Sequence, residues 1–306
     1  MKLPQPFCGI IPPLITPLID WQTLDVAGLE NLVRRLLDGG VHGLFLLGTC
    51  GEGPSLSYAL RREIIDRVAK LTDGRVPIIV GVTDSSLRES LAMAEYAAEK
   101  GCAGAVVAPP FYHPISQDDL KKYLERLAKH ISLPVLLYNM PTHTKIVYEL
   151  ETLKEAFQNP VYVGMKDSSG DLNYFGQVAQ ITKDRPDLTL LVGPEDMLVA
   201  SMRLGGHGGI CGGAHLLPKL FVQIYQAVRN QNNDAIDRME KRLASLESLY
   251  KGFEGASFLR NMKCALSILG ICGGELAEPL HSLPASRIPI IEAKLKQLGI
   301  TAQTLE

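Results

Sequence analysis

One lysine stands apart in the sequence. Lys166 closes the apolar run Val161-Tyr162-Val163-Gly164-Met165, whereas most other lysines fall in helix patterns or loops. An ammonium at the end of a buried strand loses hydration, which favours the free amine. A free amine is what imine chemistry on a ketone requires. Position alone leaves a second reading open, a lysine neutralised by Asp167 or by a helix dipole at the rim. Tyr138 ends another apolar run, where a phenol either shuttles protons or caps a strand. The turn Gly48-Thr49-Cys50-Gly51 offers unblocked backbone N–H groups suited to a carboxylate, although a glycine turn has many other uses. A later run ends on Gly193-Pro194-Glu195-Asp196, and Gly212-Gly213 follows the last one. Close packing explains those final glycines as well as phosphate binding does.

These residues share one setting. A short run rich in Val, Ile and Leu, followed by an amphipathic stretch, recurs along the chain. Strands are predicted over 9–16, 42–48, 77–82, 104–108, 134–139, 161–166, 188–193 and 208–211. Helices are predicted over 25–38, 57–71, 87–100, 116–130, 148–156, 171–183 and 197–204. Asp25, Ser116 and Asp171 stand where helix N-caps belong, and Gly39-Gly40 and Gly101 where helices stop. Eight βα units argue for a closed (β/α)8 barrel of class α/β, in which chemistry gathers at the C-terminal strand ends. No GxGxxG follows the first strand, which disfavours a dinucleotide fold. Beyond the eighth strand the alternation stops, and helices are predicted over 218–229, 234–251, 256–269 and 284–298. The expected organisation is a barrel over 1–230 and a helical extension over 231–306, packed on it.

Composition removes several classes of function. Of 306 residues 46% are apolar, enough for a large core, and Lys+Arg 31 against Asp+Glu 33 leaves no basic stripe for nucleic acid. No apolar run approaches the ~20 residues that span a bilayer. The start, Met1-Lys2-Leu3-Pro4, shows neither an h-region nor a cleavage site. Six cysteines without CxxC spacing read as reduced thiols, and a cytoplasmic location is expected. The histidines show no metal-binding spacing, so no metal is expected.

Taken together, Gly48-Thr49-Cys50-Gly51-Glu52, Pro110-Phe111-Tyr112, Leu137-Tyr138-Asn139-Met140-Pro141, Gly164-Met165-Lys166-Asp167 and Leu204-Gly205-Gly206 carry a resemblance. Their order and spacing resemble the N-acetylneuraminate lyase/dihydrodipicolinate synthase family, class I pyruvate-handling (β/α)8 enzymes. The resemblance implies an imine between Lys166 and the keto carbon of pyruvate or a 2-keto acid, with no cofactor. Tyr138 would be the acid/base, linked through Thr49 to Tyr112. In the family that second tyrosine enters the neighbouring subunit's site, which implies a homo-oligomer, most often a dimer of dimers. The amides of Thr49 and Cys50, beside Gly48, would hold the substrate carboxylate.

Two positions depart from the family. Cys50 replaces a hydroxyl residue, and a thiol is a weak donor. His143 stands where the synthase branch carries an arginine for its second substrate, and an imidazole is no permanently charged fork. Glu195 and Asp196 align with the acidic pair that holds hydroxyls in the sialic acid lyase branch. Ser168 aligns with a hydroxyl residue there, and Gly193 and Gly212 complete the expected binding set. Lys166-Asp167-Ser168-Ser169-Gly170-Asp171 also resembles the 4-hydroxy-2-oxoglutarate and 2-keto-3-deoxy-sugar-acid aldolases. The expected reaction is therefore cleavage of a 2-keto acid to pyruvate and an aldehyde. The alternatives are synthase activity with aspartate semialdehyde, dehydration of a 3-deoxy keto acid, and a keto-acid-binding barrel without catalysis.

Overall fold

The computed structural model describes residues 2–251 and 257–305. Among these residues, eight parallel strands follow one another as β1 (Gly9–Ile10), β2 (Leu44–Leu46), β3 (Ile78–Gly81), β4 (Gly104–Val107), β5 (Val135–Asn139), β6 (Tyr162–Asp167), β7 (Thr189–Val192) and β8 (Gly208–Gly209). Between them lie α1 (Val26–Asp38), α2 (Tyr58–Thr72), α3 (Leu87–Glu99), α4 (Gln117–His130), α5 (Pro141–Thr144), α6 (Leu150–Ala156), α7 (Leu172–Thr182) and α8 (Leu198–Arg203). The chain continues into α9 (Pro218–Arg229), α10 (Asn233–Glu247), α11 (Phe258–Ile268) and α12 (Ile288–Gln297).

The sheet runs β1-β8-β7-β6-β5-β4-β3-β2 and closes on itself. Closure is made by His42 N–H to Ile10 O (2.8 Å), Phe45 N–H to Pro12 O (3.0 Å) and Leu14 N–H to Phe45 O (2.8 Å). The first strand is shorter than the 9–16 predicted because Pro12 and Pro13 have no N–H to give a ladder. Two separate cores confirm the barrel. Phe7, Ile11, Phe45, Ile79, Val106, Leu136 and Val163 fill its interior, and a second set packs strands against helices. Parallel strands covered on both faces explain why β6 is buried at all six positions.

The capping signals act as predicted. Asp25, Ser116 and Asp171 accept backbone N–H bonds at the starts of α1, α4 and α7, with Ser116 and Asp119 forming a capping box. The short helix α5 and the 3₁₀ turns at Gly53–Ser55, Glu195–Met197 and Gly212–His215 have no periodic signal in sequence. The helix predicted over 256–269 is observed from Phe258, and Ala256 lies outside the described residues.

The segment after α9 folds back on the barrel. Arg35 of α1 is buried with no carboxylate partner among the described residues; its guanidinium donates to His215 O (2.9 Å) and Ala302 O (2.7 Å), and to Leu216 O and Thr304 O. His215 is buried too, and desolvation pulls it down to about 4. Its Nε2 accepts from Ile15 N–H at 3.2 Å, so the neutral ring carries its proton on Nδ1, toward Gly212 O. Among the described residues no helix is long and apolar enough to cross a membrane. Nor does any group of three or more His, Cys, Asp or Glu there have the geometry to hold a metal ion.

Candidate active site

Lys166 points into the barrel because β6 carries a bulge. Val135 pairs with Tyr162 but Leu136 with Gly164, so Val163 is an extra residue. Gly164 takes φ +144°, and a Cβ there would sit 2.0 Å from Thr189 O. The phase shift lets Val163 and Lys166 both face inward while Met165 packs outward. Lys166 is 4% exposed, with Nζ 4.0 Å from the Tyr138 ring centroid and 5.1 Å from that of Phe45. It makes no hydrogen bond or ion pair with any described residue.

The pairing with Asp167 that sequence left open does not form. The Asp167 carboxylate accepts from Asn139 Nδ2 (2.8 Å), Ser169 Oγ (2.9 Å) and Ser169 N–H (3.2 Å), and burial raises its pKa. This bonding fixes the β5–β6 register as well. Asn139 is opposite Asp167 and Tyr138 opposite Lys166, so one bond aligns both pairs.

The turn after β2 supplies the next wall. Thr49 Oγ1 lies 3.3 Å from Tyr138 Oη. Glu52 N–H donates to Thr49 O (3.1 Å) and Gly53 N–H to Gly48 O (3.3 Å). A trans peptide directs N–H opposite to C=O. The Thr49 and Cys50 N–H groups are therefore turned away from residues 52 and 53, and neither donates to any described residue. Two adjacent free N–H groups make an anion cradle. Burial pushes the Cys50 thiol up to about 11 against the opposing pull of Lys166, so it is a neutral thiol at this turn.

The expected residues on the β7–β8 side are placed differently. Ser168 packs against Gly193, where a Cβ would meet its Oγ at 2.0 Å. Glu195 is buried, and its carboxylate accepts from Gly213 N–H and Tyr250 Oη. Asp196 pairs with Lys251 at 2.9 Å, and Lys251 also holds Glu247 at 2.8 Å. The acidic pair aligned with a hydroxyl-binding site is thus engaged by Tyr250 and Lys251 of the C-terminal extension, Glu195 as a buried carboxylate that needs partners and Asp196 as an exposed ion pair. Gly212 meets the Phe258 ring of α11, where a Cβ would approach to 2.2 Å. It packs closely against α11 at this point.

His143 is exposed on α5, 3.0 Å from Thr142 Oγ1; partial burial and the charges of Lys145 and Lys166 pull it below its usual range. It is a neutral ring near the amine. Tyr112 is 75% exposed, edge-on to His113, and bonds to neither Thr49 nor Tyr138 of its own chain. The Tyr138–Thr49 half of the expected relay is formed within one chain, and Tyr112 is not.

Sequence reasoning missed three contributors. Phe45 supplies the ring beneath the amine, and Asn139 sets the register. The third is Glu52, buried in left-handed backbone (φ 55°) and ion-paired with Lys263 of α11. A lysine on the apolar stripe of α11, between Met262 and Ala265-Leu266, was the available signal.

A closed parallel barrel with a buried, unpaired lysine beside a phenol and two free N–H groups at its mouth has the architecture of a (β/α)8 enzyme. The comparisons narrow that class. A profile of the Dihydrodipicolinate synthetase family matches residues 6–298. A probable 2-dehydro-3-deoxy-D-pentonate aldolase of Escherichia coli K12 is 33% identical over 246 residues, 80% of this chain and 82% of its own. The structure of dihydrodipicolinate synthase from Bacteroides thetaiotaomicron superimposes with TM-score 0.92 at 42% identity, covering 96% of this chain and 99% of that one. A prophage protein of the dihydrodipicolinic acid synthase family from Escherichia coli K12, solved with pyruvate, gives TM-score 0.90 at 28% identity, with the same coverage. The chain belongs to the dihydrodipicolinate synthetase family, and it is an enzyme of the lyase and aldolase kind.

Proposed function

We propose that the protein is a class I aldolase that cleaves a 4-hydroxy-2-keto acid, of the hydroxylated or 3-deoxy sugar acid type, to pyruvate and an aldehyde. The carrying observation is Lys166, buried and unpaired with its Nζ over the Tyr138 ring, opposite Tyr138 across the β5–β6 register. The Thr49 and Cys50 N–H groups receive the substrate carboxylate. The Lys166 amine adds to the keto carbon, and Tyr138 protonates the carbinolamine hydroxyl, which leaves as water from a protonated imine. The Tyr138 oxygen then takes the proton of the C4 hydroxyl. The C3–C4 electron pair moves toward the imine nitrogen, and the aldehyde departs. Tyr138 returns the proton to C3 of the enamine, and hydrolysis frees pyruvate and the amine. The chain supplies every group used, so no added cofactor enters the scheme.

The same reading places Tyr112 in a neighbouring subunit's site within a homo-oligomer, a dimer of dimers. Its exposed ring supports this assignment. Six free cysteines support a reducing, cytoplasmic setting. A screen of 2-keto-3-deoxy sugar acids, coupled to pyruvate detection, tests the proposal. Turnover that survives EDTA is expected, and a requirement for added divalent ion would count against it.

One observation favours a second reading, condensation of pyruvate with aspartate semialdehyde. The Bacteroides structure at 42% identity is a dihydrodipicolinate synthase. A neutral His143 in place of a guanidinium weighs against it. Efficient turnover of that aldehyde at micromolar concentration would favour the synthase.

A further inference from the structure

The carboxylate cradle is built from strand β2, yet it is anchored by the C-terminal extension. Glu52 Oε1 forms an ion pair with Lys263 Nζ, and both side chains are shielded from water. Glu52 Oε2 accepts from Ala277 N–H at 2.8 Å. Lys263 in turn donates to Glu275 O at 2.5 Å. The anchor holds the backbone of Glu52, a residue kept at positive φ without being glycine. That backbone does the positioning, because Glu52 N–H holds Thr49 O and its neighbour Gly53 N–H holds Gly48 O. Those two bonds aim the Thr49 and Cys50 N–H groups. The mechanism above uses neither Glu52 nor Lys263.

We infer that Glu52 and Lys263 are positioning residues for the substrate carboxylate, so that α11, more than 200 residues away in sequence, sets affinity for keto acids. This rests on the reading that the cradle binds the carboxylate and Lys166 the keto carbon. An incomplete pair would leave one buried charge without its counter-ion, which drives Glu52 to shift and turns the cradle. A ketone without a carboxylate does not use the cradle, which separates this role from a general loss of structure.

The experiment compares pyruvate with acetone as borohydride-trapped adducts on Lys166 in the full-length protein. The concentration giving half-maximal adduct is read by peptide mass spectrometry. Lys263→Met is expected to raise the pyruvate value about ten-fold, the consequence of a misdirected pair of N–H donors, and to leave the acetone value unchanged. Should that variant fail to fold, Glu52→Gln/Lys263→Met removes both charges together, an exchange that buried pairs often tolerate. It is expected to raise the pyruvate value about three-fold, since Ala277 N–H keeps an acceptor but the ion pair is gone. Unchanged pyruvate values, or equal shifts for pyruvate and acetone, would overturn the positioning role while leaving the imine intact. No adduct on Lys166 in the unsubstituted protein with either ketone would overturn the imine reading and this inference with it.

Discussion

The two sides of the barrel mouth are built on opposite terms. On the β2–β5–β6 side, Lys166 Nζ and the N–H groups of Thr49 and Cys50 have no partner among the described residues. On the β7–β8 side, Glu195 is held by Gly213 and Tyr250, and Asp196 by Lys251. Both sides carry charged and polar side chains, so residue type does not distinguish them. What distinguishes them is satisfaction. On the β7–β8 side the C-terminal extension pairs the acidic groups themselves, while on the β2–β5–β6 side it braces Glu52 and leaves Lys166 and the two N–H groups open for a substrate to complete. Reactive groups are those a stable fold tolerates without partners, and bracing groups are those it cannot leave alone.

Substitutions on each side test that contrast. Lys166→Ala is expected to lower turnover by about 10⁴-fold or more, as loss of a nucleophile does. Its thermal midpoint should fall only modestly, because packing against Tyr138 and Phe45 is lost but no ion pair is. A marked fall in stability would show that Lys166 has a structural partner after all. Tyr138→Phe keeps the ring beneath the amine and removes the proton carrier. We expect a loss of about 10²- to 10⁴-fold in kcat, with the pyruvate imine still trappable. Near-normal kcat would assign the proton to another group.

Glu195 tests the braced side through pH. Burial raises its carboxyl from 4.5 to about 7, so the folded state prefers the protonated form. That contribution is whole below the unfolded value and is lost as pH rises through the folded value. Glu195→Gln should therefore gain stability relative to the parent between pH 5 and pH 8, by up to about 3 kcal/mol. A pH-independent difference in chemical denaturation would contradict the assignment. His215 titrates in the opposite sense in both proteins, with stability lost as pH falls from 6.5 toward about 4, and cancels in the comparison. The smallest effect is expected for Cys50→Ser. If the cradle is backbone, half-saturation by pyruvate should change by less than about three-fold, because a neutral thiol donates weakly. A larger gain would show the side chain to be the carboxylate's donor.

Much of the fold could be read from periodicity. All eight strands and the caps at Asp25, Ser116 and Asp171 lie where the alternation puts them. Lys166 was legible as a lysine closing an apolar strand, although position alone left a rim lysine paired with Asp167 equally open and only the accompanying motifs favoured chemistry. Its inward direction was not, since a simple period of two from Val163 turns it outward, and only the bulge at Gly164 restores it. The pairing of Glu195 with Tyr250, and of Glu52 with Lys263, spans 55 and 211 residues of sequence. No local pattern encodes a contact at that separation. Glu195 and Asp196 were therefore expected to face a substrate, on alignment alone, while their partners in the extension went unseen.

Whether Lys166 is a nucleophile can be measured directly. The protein is incubated with pyruvate and borohydride, digested, and mapped by mass spectrometry. A single reduced pyruvyl adduct on the peptide bearing Lys166, absent in Lys166→Ala, is expected. A folded protein that binds pyruvate but gives no adduct there would contradict it.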